Sequence, residues 1–390
     1  MIFSVAVILL VGLILGGICK IIKFPALFGM IIGGIIIGPY ALNFIDPSLL
    51  SISSDIRKIA LVIILIRAGL KLSVDDLKKV GRPAILMCFL PATCELVGMM
   101  LLAPRLLGMS PLDAAILGTV IGAVSPAVIV PSMIKIIDEG YGTGKAIPQM
   151  ILAGASVDDV FVIVLFTTCT SLALGNGINV MSFVNIPVSI VVGILVGLAC
   201  GFCLFVLFDK INIHLVIKVL IVLAVCLMIV VVEDKFPVVP FASLIAVMSL
   251  GLMIRQKSID MAKELSAQYD KLWVVAEIFL FVLVGASVAI DSAKEAGISA
   301  VILLAGVLLF RMAGVWLCLI ATKLNNREKM FCMLAYTPKA TVQAAIGGLP
   351  LAYGLACGNI VLTVSVIAIL VTAPLGAFAI DLTYKKFLEK

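Results

Sequence analysis

The sequence predicts an all-α, polytopic membrane protein, and three observations support this fold class. Hydrophobic residues make up 63% of the 390 residues, whereas charged residues make up only 13%. Soluble domains carry about 25% charged residues. Apolar segments recur along the whole chain, and many reach the length of about 20 residues that crosses a bilayer. The loops between these segments are short.

We count about thirteen candidate spans. The first one lacks the charged start and the small-residue cleavage site of a signal peptide, so we expect it to be retained as a helix. The spans run over residues 2–19, 25–42, 56–70, 82–104, 112–136, 147–174, 182–208, 213–232, 237–254, 271–290, 297–321, 329–352 and 358–381.

Lys and Arg residues are divided unevenly between the two alternating sets of loops. One set holds most of them, whereas the other holds only Arg57, Lys58, Arg105, Lys235 and Lys294. Because cytoplasmic loops carry the excess of positive charge, we expect the N-terminus outside and the C-terminus in the cytoplasm. The sequence shows no organellar targeting segment, so we expect a prokaryotic inner membrane.

Prolines interrupt two of the predicted spans at corresponding positions. Pro126 follows Ser125 in the fifth span, and Pro338 follows Thr337 in the twelfth. A proline inside a helix removes a backbone hydrogen bond and clashes with the preceding turn. One such proline is often only a kink, but paired breaks in two halves are typical of a transporter site. Because seven is odd, spans repeated seven apart predict two inverted repeats.

Two adjacent carboxylates, Asp158 and Asp159, lie inside the sixth span. An ionisable group within a membrane segment usually marks an ion or proton path, so we interpret the pair as a site for a cation and for protons. The two groups are expected to titrate as a coupled pair. The alternative is a pair of permanently neutral, hydrogen-bonded side chains that support helix packing.

Three further charges lie in the core of the predicted spans: Glu95, Arg311 and Lys339. Glu95 and Arg311 lie on spans four and eleven, which are related by the repeat, so we predict that they pair. The open alternative is that Arg311 competes with the transported cation for Asp158. Lys339 follows the second break, where we expect it to neutralise the negative ends of half-helices.

The ten cysteines are scattered singly through apolar segments. This pattern is typical of buried free thiols and lacks the paired spacing of a metal site. We therefore expect no cofactor, no enzymatic activity and no nucleic-acid partner, with membrane lipid, monovalent cations and protons as the partners.

Four motifs together resemble the monovalent cation/proton antiporter superfamily, in its sodium/proton (NHA/NhaA-type) branch. They are residues 118–133 (GTVIGAVSPAVIVPSM), 154–159 (GASVDD), 336–345 (YTPKATVQAA) and 64–69 (ILIRAG). The resemblance implies an NhaA-type fold with crossed discontinuous helices, and a homodimer. It also implies that Asp159 binds the cation and exchanges the proton, with Asp158 as the neighbouring acid. Arg311 occupies a position at which many bacterial members carry lysine.

We therefore expect an antiporter that exchanges Na⁺ or Li⁺ for H⁺ by alternating access. Thr119, Ser125 and Ser156 are expected to help hold the ion beside Asp158 and Asp159. The moving core is predicted to comprise residues 82–174 and 297–381. Residues 1–70 and 213–290 are expected to form the dimerisation scaffold, and residues 182–208 a linker helix.

Other classes explain the sequence less well. A sodium-coupled symporter of an organic anion would need groups that hold a carboxylated substrate, and a K⁺/H⁺ efflux antiporter would differ only in its ion. A potassium channel needs a carbonyl-lined filter of the TVGYG kind, which the sequence lacks. An intramembrane aspartyl protease needs two acids that converge from separate helices, whereas Asp158 and Asp159 diverge on one.

Overall fold

A computed structural model of the chain describes residues 1–22, 24–72, 81–175, 180–211, 213–235, 241–288 and 290–390. Within these ranges the side chains of residues 156, 160, 180–187, 234 and 290–296 lie outside the description. The expected ion ligand Ser156 is one of them.

Every regular element in the described ranges is an α-helix. Numbered in chain order, they are α1 (Ile2–Ile21), α2 (Ala26–Ile37), α3 (Pro47–Ser51), α4 (Ser53–Lys71), α5 (Arg82–Met87), α6 (Leu90–Leu107), α7 (Pro111–Ile121), α8 (Pro126–Asp138), α9 (Ile147–Ala173), α10 (Val180–Lys210), α11 (Leu215–Lys235), α12 (Ser243–Lys257), α13 (Ile259–Ala286), α14 (Ile290–Cys318), α15 (Asn326–Ala335), α16 (Thr341–Ile346), α17 (Leu349–Ala352) and α18 (Gly358–Phe387).

The predicted spans coincide with these helices, and two of them are interrupted where the prolines predicted it. Among the described residues, eight stretches are long and apolar enough to cross a membrane, and Ala26–Ile37 and Thr341–Ala352 are shorter apolar stretches. The all-helical class is thereby confirmed. The number of thirteen crossings and the inverted repeats stay predictions.

Two expectations about helix limits need correction. The span predicted over 82–104 is two helices, because the chain turns at Cys88 and Phe89 before α6 begins. Pro91, near the start of α6, has no N–H to continue the helix backward. Lys263 and Lys271, expected in loops, lie on α13, which begins well before the predicted residue 271.

The chain divides into two compact units. The first comprises Met1–Arg57, Asp75–Leu174 and Ile278–Lys390, and the second comprises Lys58–Val74 and Gly175–Glu277. Both predicted core segments, 82–174 and 297–381, belong to the first unit. The assignment of a moving core, a scaffold and a linker concerns motion, and it stays a prediction.

In the second unit, α10 packs along α12 through small residues. The backbone carbonyls of Ala242 and Ala246 approach Gly193 and Gly197 so closely that a Cβ would not fit. Small residues at helix contacts let backbones pack closely, which is how apolar helices associate in membranes.

In the first unit, α6 and α14 pack together in the same manner. Gly98 of α6 lies against the Phe310 ring, and Gly314 of α14 lies against the backbone of Pro91. This close packing brings the interiors of the two helices together, and with them Glu95 and Arg311.

Candidate ion-binding site

Two helix breaks meet in the first unit. The first separates α7, which ends at Ile121, from α8, which begins at Pro126. The second separates α15 from α16, between Ala335 and Thr341. The Ser125 N–H donates a hydrogen bond of 2.8 Å to the Pro338 carbonyl. The two interruptions are therefore in direct contact, as crossed discontinuous helices require.

Gln343 holds the carbonyls that the first break exposes. Its Nε2 donates to the Ile121 carbonyl at 3.1 Å and to the Ala123 carbonyl at 2.9 Å. Buried carbonyls at a helix end need partners of this kind. The sequence analysis did not single out Gln343. Its signal was a long amide in an otherwise apolar stretch directly after the second break.

Arg311 and Asp158 bind two more backbone groups of the first break. The Arg311 guanidinium donates through Nη1 to the Gly122 carbonyl, and the Val124 N–H donates to Asp158 Oδ2 at 2.9 Å. The break is thus held by side chains from α9, α14 and α16 at once. Its conformation depends on the charges around it.

The second break is held in a similar way. Arg311 Nε donates to the Tyr336 carbonyl at 2.6 Å, and the Lys339 N–H donates to Thr372 Oγ1 at 2.9 Å. The Pro338 ring packs on Gly376 of α18, where a Cβ would overlap it. Arg311 therefore bonds to both breaks.

Four buried charges form a continuous network beside the crossing. Arg311 Nη2 lies 2.8 Å from Asp158 Oδ2, and its Nη1 lies 2.7 Å from Glu95 Oε2. Lys339 Nζ lies 2.6 Å from the same Glu95 oxygen. The side chains of all four residues are fully buried.

This network gives the contacts of Lys339 and Arg311, and the roles predicted for them stay predictions. Lys339 contacts the Glu95 carboxylate, whereas we expected it to act on the ends of half-helices. Arg311 pairs with Glu95 and with Asp158 together. A buried charge is tolerated when it is paired and hydrogen-bonded, and these partners meet both conditions.

Asp159 has a different environment. Asp159 is only 6% exposed, and its Oδ1 atom is buried without a hydrogen-bond partner among the described residues. Within the described part of the chain it forms no ion pair. Asp159 is therefore the carboxylate of this region whose capacity for a cation or a proton is unused.

Several neutral and charged oxygens near the two breaks are also buried and unpartnered. They are Ser125 Oγ, Thr341 Oγ1, Gln343 Oε1 and Asp158 Oδ1. Buried polar atoms normally have partners, so a group of unpartnered oxygens indicates a place where something else binds. Oxygen ligands suit hard cations.

Thr119 makes a different contact from the one expected. It is buried, and its hydroxyl donates to the Ile116 carbonyl of its own helix at 2.7 Å. Its oxygen could still accept a donor, but this contact gives no reason to place it on the ion.

Comparison with known proteins identifies the family. The sequence profile described as "Sodium/hydrogen exchanger, transmembrane" matches residues 5–386, which is nearly the whole chain. The chain belongs to the sodium/hydrogen exchanger family. Members of this family are transporters and not enzymes, so the resemblance seen in the motifs and the expectation of a non-enzymatic role are both confirmed.

Individual relatives agree with this assignment. The exchanger is 31% identical to "Sodium/hydrogen exchanger 9B2" of Homo sapiens, over all of this chain and 75% of that one. It is 31% identical to the Mus musculus protein of the same name, over 96% of this chain and 72% of that one. It is 29% identical to "Sodium/hydrogen exchanger 9B1" of Homo sapiens, over all of this chain and 78% of that one.

A solved structure shares the fold. The sodium proton antiporter MjNhaP1 from Methanocaldococcus jannaschii superposes with a TM-score of 0.86 at 20% sequence identity, and the match covers 99% of this chain and 98% of that one. The polytopic helical membrane fold is thereby confirmed.

Proposed function

We propose that this exchanger moves Na⁺ or Li⁺ in one direction and H⁺ in the other by alternating access. The two ions compete for the Asp158–Asp159 pair, and Asp159 is the group whose occupant changes. One observation carries the proposal: Asp159 Oδ1 is buried without a hydrogen-bond partner among the described residues, next to a carboxylate that already forms an ion pair. Exchange also agrees with the names of the relatives, which are sodium/hydrogen exchangers.

Competition follows from the chemistry of a single buried carboxylate. An ionised carboxylate in a poorly hydrated site is unfavourable, so it gains free energy by binding either a metal ion or a proton. It cannot hold both in full, because protonation removes the charge that attracts the metal ion. Ser125 and the other unpartnered oxygens supply ligands for the cation but not for the proton.

The charges of the site favour a one-for-one exchange. Three carboxylates (Glu95, Asp158 and Asp159) face two cations (Arg311 and Lys339), which leaves one negative charge when all five are ionised. One Na⁺ or one H⁺ neutralises it. Arginine does not deprotonate in proteins, so Arg311 holds Asp158 in place and takes no part in proton exchange. We therefore propose that no net charge moves in one cycle.

The rest of the predicted arrangement belongs to the same proposal. It comprises the moving core of residues 82–174 and 297–381, the homodimer, the prokaryotic inner membrane and the external N-terminus. The transported ion is the substrate, and the proposed cycle uses no cofactor.

Asp159→Asn tests the proposal directly. The variant keeps the shape of the side chain but cannot bind a proton and a cation in turn, so we expect Na⁺-driven proton movement in proteoliposomes to disappear. Asp381→Asn is a matched control, because Asp381 lies at an exposed ion pair with Lys135. Full exchange in a folded Asp159→Asn variant would reject the assignment.

The same preparation tests ion choice and net charge. Substituting Li⁺ or K⁺ for Na⁺ measures selectivity, and an imposed membrane potential should leave the rate unchanged if the exchange is one for one. A symporter of organic anions is disfavoured, since both buried cations of the site already bind carboxylates.

A further inference from the structure

Arg57 is a buried cation, and no anion pairs with it among the described residues. We counted it among the charges of the loops, but it lies on α4 and is only 4% exposed. Its Nε donates to the Ser53 carbonyl at 3.2 Å. Its Nη1 is buried without a hydrogen-bond partner, and no ion pair of Arg57 occurs among the described residues.

Arg67, on the same helix, shows what a compensated arginine looks like. Its Nη2 lies 2.7 Å from Asp270 Oδ1, and its guanidinium lies 5.2 Å from the centre of the Trp273 ring. Burying a charge without a partner costs free energy. Such a cost persists mainly where function requires it.

The Arg57 guanidinium lies against Gly348, just after the second half of the broken helix. A Cβ at residue 348 would overlap the Arg57 Nη1, Nη2 and Cζ atoms. The helix that leads to this contact begins at Thr341 and includes Gln343, which binds the first break. Five residues separate Gln343 from Gly348, about 8 Å along a helix axis. The guanidinium is thus about one and a half turns from the ion site.

We propose that Arg57 closes the path between the ion site and the membrane face at which α4 begins, which the sequence predicts to be the external face. The inference rests on the proposed exchange by alternating access. In the closed state the guanidinium fills the space left by Gly348, and its unpaired positive charge repels a cation on this path. When the broken helix moves away, Arg57 regains water. Because the buried charge has no counter-ion among the described residues, the closed state is only weakly stable and can open.

The test compares Arg57→Gln with Arg57→Lys. The glutamine variant removes the cost of burying an unpaired charge, so we expect it to favour the state closed to that face. Because apparent affinity falls with the population of the competent state, the KM for Na⁺ at that face should rise at least threefold relative to the KM at the opposite face. The lysine variant keeps the charge and should retain most of the wild-type ratio. Proteoliposomes of known orientation measure both values.

Hydrogen–deuterium exchange provides a second readout that needs no transport. Amides of residues 341–352 should exchange more slowly in Arg57→Gln than in the wild type, because the closed state is more populated. Arg67→Gln is the matched control, and it should change neither the KM ratio nor the exchange of this segment. If Arg57→Gln does not fold, Gly348→Ala displaces the guanidinium from its closed position and should shift both readouts in the opposite direction, towards a lower KM at that face and faster amide exchange.

An unchanged KM ratio and unchanged amide exchange in folded Arg57→Gln, or in folded Gly348→Ala where it replaces that variant, would overturn the inference. So would a lysine variant that behaves like the glutamine variant, because the charge would then be irrelevant. Absence of Na⁺/H⁺ exchange in the wild type would instead reject the proposed function, and the amide exchange would still report on Arg57.

Discussion

Asp158 and Asp159 are neighbours in the sequence, but their side chains have different surroundings in the structure. Asp158 bonds to Arg311 at 2.8 Å and accepts the Val124 N–H. Asp159, the next residue, bonds to no described group. Successive helix residues point about 100° apart, so only one of the two side chains reaches the network at the crossing. Two identical carboxylates can thereby have two roles: one holds the site together, and the other is available to the transported ions.

The largest expected difference between Asp158 and Asp159 is in how much each contributes to folding stability. Asp158→Leu removes the partner of Arg311 Nη2 and the acceptor of the Val124 N–H, so the variant should lose about 3–5 kcal/mol of folding free energy. Asp159→Leu breaks no side-chain hydrogen bond or ion pair seen in the described part of the chain, so it should leave stability unchanged or raised. Thermal unfolding of the two purified variants in detergent measures the difference.

The companion control replaces Arg311 together with Asp158. Arg311→Met in the Asp158→Leu background should lose less than the sum of the two single changes, because the two residues contact each other and their shared ion pair is lost only once. Equal losses in Asp158→Leu and Asp159→Leu would show that the division between a structural and a transporting carboxylate is wrong.

A smaller effect is expected for Gln343, whose neutral side chain binds carbonyls of the first break. Gln343→Leu leaves the Ile121 and Ala123 carbonyls without their donor, and an unsatisfied buried group costs about 1–3 kcal/mol. We expect Na⁺ affinity to fall about tenfold, equal to about 1.4 kcal/mol, while exchange continues. Titration of the exchange rate with Na⁺ measures the change. Gln149→Leu is the control, since Gln149 lies in the first turn of α9, nine residues before Asp158.

The smallest effect belongs to an ion pair in water. Lys135 and Asp381 lie 3.0 Å apart, but their side chains are 50% and 54% exposed. Solvent screening makes such pairs worth about 0–1 kcal/mol. Asp381→Asn should therefore change the unfolding temperature little and leave exchange intact. A loss of stability comparable to that of Asp158→Leu would show that burial does not determine how much these ion pairs contribute to folding stability.

Some parts of the site could be predicted from sequence because they depend on local covalent properties. Proline has no N–H wherever it lies, so Pro126 and Pro338 indicated two breaks, and the structure shows both. A carboxylate pair in an apolar span is costly in any membrane fold, so Asp158 and Asp159 were singled out without knowledge of their neighbours.

Other parts could not be predicted, because they depend on contacts between distant residues. Gln343 is an ordinary amide in the sequence and acquires its role only where it meets the Ile121 carbonyl. Arg57 was counted among the loop charges, and only the structure shows that its side chain is buried against Gly348. The turn before Pro91 also went unpredicted, since a single proline inside a membrane span is often only a kink.

The sequence by itself therefore determined the helical membrane class, the family, the places where two helices break and the acidic residues between them. These follow from hydropathy, from proline geometry and from motif patterns, all of which are local. Only the tertiary structure decided which carboxylate is paired and which is left open. That choice depends on the distances between Asp158, Arg311, Glu95 and Lys339, which come from three different helices and the second helix break. At close range, electrostatic and hydrogen-bond energies change steeply with distance and direction.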